Sequence, residues 1–112
     1  MTWLQTASGK AFRPLRPDPA TIVIEDIAHA LAFLCRFNGH CRSFYSVAEH
    51  SVRVSNLLAP EDAAWGLMHD AAEAYVSDLP RPVKKELPAF ERLEDGLLQV
   101  IAQRFSLSWP MP

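Results

Sequence analysis

Four histidines occur in the 112-residue sequence, and two of them can meet a carboxylate. His50 lies nine residues before Ala59, and His69 lies nine residues after Pro60. If the segments flanking Ala59-Pro60 are helices folded back on each other, a rise of ~1.5 Å per residue puts both histidines ~14 Å from the turn, at one height. His50 shares a stripe with Val47 and Val54, so it is expected to point inward. Asp70 follows His69 directly. Two imidazoles and a carboxylate converging in this way form a mixed N/O donor set for a divalent metal. Glu73, four residues from His69 and three from Asp70, shares the same helix edge. It could orient a ligand or act as a general base toward water. The bland alternative is two satisfied core histidines beside a solvated acidic edge, and the choice depends on the hairpin being real.

The elements that must position these groups form an irregular front and a helical rear. Residues 1–20 hold Pro14, Pro17 and Pro19 and a Ser8-Gly9 turn signal, across which 3–5 and 10–12 can pair as a short hairpin. The β-branched run Thr21-Ile22-Val23-Ile24 suggests a third strand. A helical period then starts, with Asp26 as N-cap and Ile27, Ala30, Leu31 and Leu34 on one face, stopping at Asn38-Gly39. Ser46-Val-Ala-Glu49 is a capping box opening a second helix that breaks at Ala59-Pro60. A third is expected from Pro60, with Glu61 and Asp62 in its first turn, to about Tyr75. Residues 76–88 read as a Pro-rich connector. Phe90, Leu93, Leu97, Ile101 and Phe105 define the apolar stripe of a last helix. The expected fold is mostly α, with a small N-terminal β-hairpin element.

Composition narrows the function classes. An apolar fraction of 49% with 21% charged residues is that of a globular chain, and its length suits a single core. Eleven basic against thirteen acidic residues leave a net charge of −2, without the basic excess of a general nucleic-acid binder. The Lys84-Lys85 pair does not change that. The helical stretch free of Asp, Glu, Lys and Arg between Asp26 and Arg36 is far shorter than the ~18–20 residues of a membrane span. The N-terminus lacks the basic start of a secretion signal, and two cysteines make a poor disulfide framework. A reducing, cytoplasmic setting is the expectation. Cys35 and Cys41 with His40 could be read as a second metal site, but a Cys-x5-Cys spacing is not that of a zinc knuckle. Trp65 and the last helix's stripe are read as core or as the surface of a homodimer.

The segments Ile27-Ala-His-Ala-Leu31, Arg36-Phe-Asn-Gly-His40, Phe44-Tyr-Ser-Val-Ala-Glu-His50-Ser51 and Met68-His-Asp-Ala-Ala-Glu-Ala-Tyr75 resemble those of HD-domain metal-dependent phosphohydrolases. With Ser77-Asp-Leu-Pro-Arg-Pro-Val-Lys84 they are similar to the 5′-deoxynucleotidase-like branch. The resemblance runs from about Asp26 to Phe105. It implies one HD-type helical bundle over 1–112, with 1–25 as the irregular or β front and 26–105 as the helical core. It further implies His50, His69 and Asp70 as metal ligands and Glu73 as the acid or base working on water or leaving group. Asp78 would be a carboxylate close to the substrate, Arg36 a phosphate-binding arginine, and Phe37 an aromatic beside the sugar. Lys84 and His40, and on the helix face His29, fall within the resembling segments and could line the phosphate pocket. Arg36 could instead complement a helix C-terminus, and Asp78 could be a turn former.

The family's fourth ligand is an aspartate on a later helix, and no aspartate follows Asp95 here. The expectation is therefore a domain without the family's C-terminal helices, a carboxylate supplied by a neighbouring chain, or an impaired site. Two function classes stand. One is a phosphohydrolase that releases phosphate from nucleotides, deoxynucleoside 5′-monophosphates foremost, by attack of metal-bound water. A signalling nucleotide is the alternative substrate. The other is a non-catalytic metal- or nucleotide-binding module. Either would take one divalent ion (Mn, Co, Fe, Ni, Zn or Mg) and a small phosphate ester rather than a nucleic-acid polymer or a membrane.

Overall fold

The computed structural model describes residues 2–112. Strand β1 (Leu4–Gln5) pairs antiparallel with β2 (Ala11–Phe12), with Leu4 opposite Phe12 and Gln5 opposite Ala11. Gly9 closes the turn at φ 89°, a left-handed backbone that glycine adopts without a Cβ clash. The third strand does not form. Asp18 caps a 3-10 turn over Pro19–Thr21 by accepting from the Ala20 N–H, and proline at its first position starts the turn. This local nucleus outweighs the β preference of 21–24, leaving Ile22 fully buried and Ile24 inside the next helix.

Helix α1 (Ile24–Phe33) begins before Asp26, and Val23 takes the N-cap position. Asp26 is instead buried in the first turn, where its carboxylate accepts from the Ser8 N–H and Oγ, both at 2.8 Å. The helix also ends short of Asn38-Gly39. Leu34 and Cys35 are drawn into an antiparallel bridge. The Arg36 N–H donates to the Tyr45 carbonyl, and the Val47 N–H donates to that of Leu34, each at 2.8 Å. Helix α2 (Val47–Leu57) starts as expected at Ser46, whose hydroxyl accepts from the Glu49 N–H at 3.0 Å.

A 3-10 turn at Pro60–Asp62 leads into α3 (Ala63–Met68). The continuous helix expected to Tyr75 is interrupted. From Met68 onward the bonds shorten to i→i+3, Ala71 to Met68, Glu73 to Asp70 and Ala74 to Ala71, before α4 (Glu73–Val76) resumes. A 3-10 pitch eclipses residues three apart, so Asp70 and Glu73 stand over one another while Ala71 and Ala72 enter the core. Within the connector, α5 (Arg81–Lys84) forms after Pro80. Helix α6 (Pro88–Arg104) buries Leu97, Leu98, Ile101 and Ala102. Its first turns are shallower, with Phe90 and Leu93 only half-buried. Trp65 belongs to the core, its indole N–H donating to the Ser108 carbonyl. No described helix is long and apolar enough to cross a membrane. The fold is thus mostly helical, with a small antiparallel hairpin at its front.

Helices α2 and α3 pack on each other, and Gly66 permits the approach. A Cβ there would sit 2.7 Å from the Ser55 Cα and 2.9 Å from its nitrogen. The Ser55 hydroxyl donates to the Ala63 carbonyl at 2.8 Å, tying the same contact. Gly96, inside α6, has nothing within 4 Å of its missing Cβ. The two glycines should therefore respond oppositely to alanine. Gly66→Ala is expected to lower unfolding free energy by about 1–3 kcal/mol through overpacking. Gly96→Ala is expected to raise it by about 0.5–1 kcal/mol through helix propensity and chain entropy. Urea titrations of the two variants check both signs.

Candidate metal centre

Helix α2 presents His50, and the tightened turn after α3 presents His69 and Asp70. One donor atom from each, all three within 4.8 Å of one another, forms a compact set. Asp70 Oδ2 lies 3.2 Å from His69 Nε2 and 3.7 Å from His50 Nε2. The imidazole rings meet edge-on, with centroids 5.4 Å apart. His69 Nδ1 is 2.7 Å from the Gly66 carbonyl oxygen. A carbonyl can only accept, so Nδ1 carries a proton and Nε2 is the atom turned to the centre. A histidine oriented by a backbone carbonyl, a second histidine on the facing helix and a shared carboxylate suit a divalent first-row ion.

The electrostatics follow from crowding. A hydrogen bond to Asp70 raises His69 above the usual histidine range, while burial, with the charge of Arg36, lowers His50. Burial alone would raise Asp70. The hydrogen bond and charge of His69 outweigh it and hold the carboxyl below its ordinary value. Glu73 bears the opposite effect. Burial, then the negative charges of Asp70 and Asp78, push it up to about 8. Asp70 and Glu73 therefore act as a pair of eclipsed carboxyls in which Glu73 keeps the proton.

A cleft of about 850 Å³ opens beside this centre, and Arg36, Phe37, His40, Glu73, Asp78 and Lys84 all line it. The bridge at Cys35 and Ser46 delivers Arg36 to the rim. Its guanidinium lies over the Phe37 ring at 4.5 Å and the Tyr45 ring at 5.2 Å. Among the described residues no carboxylate pairs with it. Phe37 and Asn38 hold left-handed backbones at φ 58° and 53°, and Ser77, leading into Asp78, has φ 58°. Strain of about 1–3 kcal/mol per such residue tends to collect at functional sites. His29 does not join the cleft. It stacks on Phe33 of its own helix and lines a separate hollow with Asp26 and Tyr75.

Lys84 reaches the cleft, but its charge is already engaged. Its Nζ lies 2.7 Å from Asp78 Oδ1 and 2.9 Å from Glu94 Oε1. Despite partial burial, these bonds raise the ammonium above the ordinary lysine value. Glu94 itself is pushed up by burial and pulled back by Lys84. Sequence reasoning passed over Glu94. Its signal was a carboxylate four residues after Phe90 and three before Leu97, on the stripe that faces the protein. Lys84 thus ties α5, α6 and the Asp78 turn together across one wall.

The displaced Glu73 proton has a consequence for metal-free protein. An unfolded glutamate titrates near 4.3, whereas the folded group does so at about 8. Between those values the folded state holds more protons, so its stability falls as pH rises. In chelator-treated protein the urea midpoint should fall from about pH 5 to about pH 8. Glu73→Gln should flatten that slope, and an unchanged slope would show that Glu73 ionises normally.

No family model matches the sequence. Two curated relatives align with nearly all of it. The uncharacterized protein YfdR of Escherichia coli (strain K12) is 45% identical over 107 residues, covering 96% of this chain and 60% of that protein. An uncharacterized protein of Rhodobacter capsulatus is 38% identical over 120 aligned residues, covering 98% of this chain and 61% of its own length. The chain spans about three-fifths of the length of both relatives.

Proposed function

We propose that this chain carries the metal centre of a phosphohydrolase of the HD-domain type, acting on nucleotide phosphomonoesters, deoxynucleoside 5′-monophosphates foremost. One observation carries the reading. A His50–His69–Asp70 donor set shares a single cleft with an arginine that has no carboxylate partner among the described residues. A divalent ion held by those three residues would neutralise phosphoryl charge and acidify water toward neutrality. Arg36 offers a planar fork to two phosphoryl oxygens, and its contacts with the Phe37 and Tyr45 rings hold that fork ready. The exposed Phe37 ring supplies an apolar face for the sugar.

Glu73 is the proton carrier in this scheme. Its carboxyl ionises more readily once positive charge sits beside Asp70. The carboxylate can then accept the proton of the attacking water as the phosphorus–oxygen ester bond breaks. Asp78, held by Lys84 at 2.7 Å, would accept a hydrogen bond from a sugar hydroxyl, and Glu73 would pass the proton taken from water to the departing 5′-oxygen. The products are inorganic phosphate and the nucleoside. Where a whole protein has further chain, that chain could complete the ligand set.

Phosphate release across a panel of ribo- and deoxynucleotides, with each divalent ion in turn, tests the reading. Activity is expected to require added metal and to disappear, with metal uptake, in Asp70→Ala. Arg36→Ala should keep its metal but lose about 10–100-fold in kcat/KM, the equivalent of ~1.5–3 kcal/mol of charge-assisted hydrogen bonding. Tight metal uptake with no phosphate release from any nucleotide would instead identify a binding module.

A further inference from the structure

Both cysteines of the chain flank the Arg36 loop. Their sulfurs lie 3.4 Å apart, both as free thiols, with Cys41 exposed and Cys35 half-exposed at the cleft wall. They are anchored differently. Cys35 sits in the bridge to Ser46, pinned by the backbone bonds at Leu34–Val47 and Arg36–Tyr45. Cys41 follows the three consecutive positive-φ residues Phe37, Asn38 and Gly39, its N–H bonded only to the Gly39 carbonyl. That backbone reversal brings the second sulfur back over the first. A disulfide needs the sulfurs to close to about 2.05 Å, a movement that side-chain rotation at the exposed Cys41 can supply.

We propose that Cys35 and Cys41 form a reversible dithiol–disulfide site, whose closure by a low-molecular-weight disulfide stiffens the Arg36 loop. The exposed Cys41 thiolate attacks one sulfur of the small disulfide and expels one thiolate, leaving a mixed disulfide on Cys41. The Cys35 thiolate then attacks the Cys41 sulfur and expels the second. Two protein thiols are oxidised to one disulfide, the small disulfide is reduced to two thiols, and the two protein protons pass to those thiols. The loop so closed contains Arg36, Phe37 and His40, all lining the cleft. Oxidation would therefore set the freedom of the group that faces a phosphate. That last consequence rests on the function proposed above, whereas the bond itself does not.

The test incubates the full chain in buffers of reduced and oxidised glutathione, followed by acid quench and mass spectrometry. The expected product is a single chain lighter by two hydrogens. Trypsin cuts after Arg36, between the cysteines, so the Cys35 and Cys41 peptides should travel together until reduced. Cys35→Ser and Cys41→Ser should each form only the mixed glutathione disulfide. Amide hydrogen exchange over residues 36–44 should slow about tenfold in the oxidised chain, a readout that needs no enzyme activity. The proposal is overturned by accumulation of glutathionylated wild-type chain or chain-to-chain disulfides without the internal bond. Unchanged exchange in the loop after the bond has formed would equally overturn it.

Discussion

The approach of α2 to α3 at Gly66 fixes the height at which His50 faces His69, and the candidate centre depends on it. A side chain at Gly66 would meet the backbone of Ser55 rather than a movable tip, so the two helices could not keep their present separation. The same residue contributes its carbonyl to His69 Nδ1, which turns Nε2 toward Asp70. One glycine therefore governs both the spacing of the two imidazoles and the orientation of one of them. Packing and ligand chemistry are coupled here through a single turn of helix.

The charges in the cleft divide into two opposed groups. Asp70 keeps its negative charge through His69, and its eclipsed neighbour Glu73 retains a proton because burial and two carboxylates act on it together. On the other wall, Lys84 neutralises Asp78 and Glu94 at hydrogen-bond distance. Its charge is consumed within the protein. Arg36, stacked rather than ion-paired, lines the same cavity with its charge uncommitted. An anionic ligand in this cleft would reach Arg36 without first breaking a salt bridge.

Where periodicity and capping agreed, the sequence was a sufficient guide. Ser46 caps α2, the turn at Ala59-Pro60 folds α3 back on α2, and His50, His69 and Asp70 converge as their spacing required. The departures have local causes. The run at 21–24 has β-branched residues, but Asp18-Pro19 starts a helical turn that β propensity could not outweigh. Helix α1 stops early because Leu34 and Cys35 pair with the strand-like approach to α2, a contact between segments that no local window contains. The 3-10 interruption after Met68 leaves no mark on a 3.6-residue pattern, since Asp70 and Glu73 share an edge in either helix. It is nevertheless what sets the two carboxyls over each other. Lys84's partners were likewise beyond a local reading, because Glu94 is separated from it by a connector and a helix start.

The front of the chain, although irregular, takes part in positioning the centre. Phe12 of β2 stacks on Tyr75 with ring centroids 4.1 Å apart, and both side chains are buried. Tyr75 belongs to α4, two residues from Glu73. The hairpin is in turn bound to α1 through Ser8 and Asp26, and α6 reaches the same region through the Arg104 Nε–H donated to the Ile22 carbonyl. Helix α4 is only one turn long, and a helix of that length has little stability of its own. Its place is therefore set by what packs against it. The aromatic stack from the hairpin holds one face of α4, so that the other can keep Glu73 against Asp70. The small β element thus helps to position a carboxyl in the cleft, even though none of its residues lines that cleft.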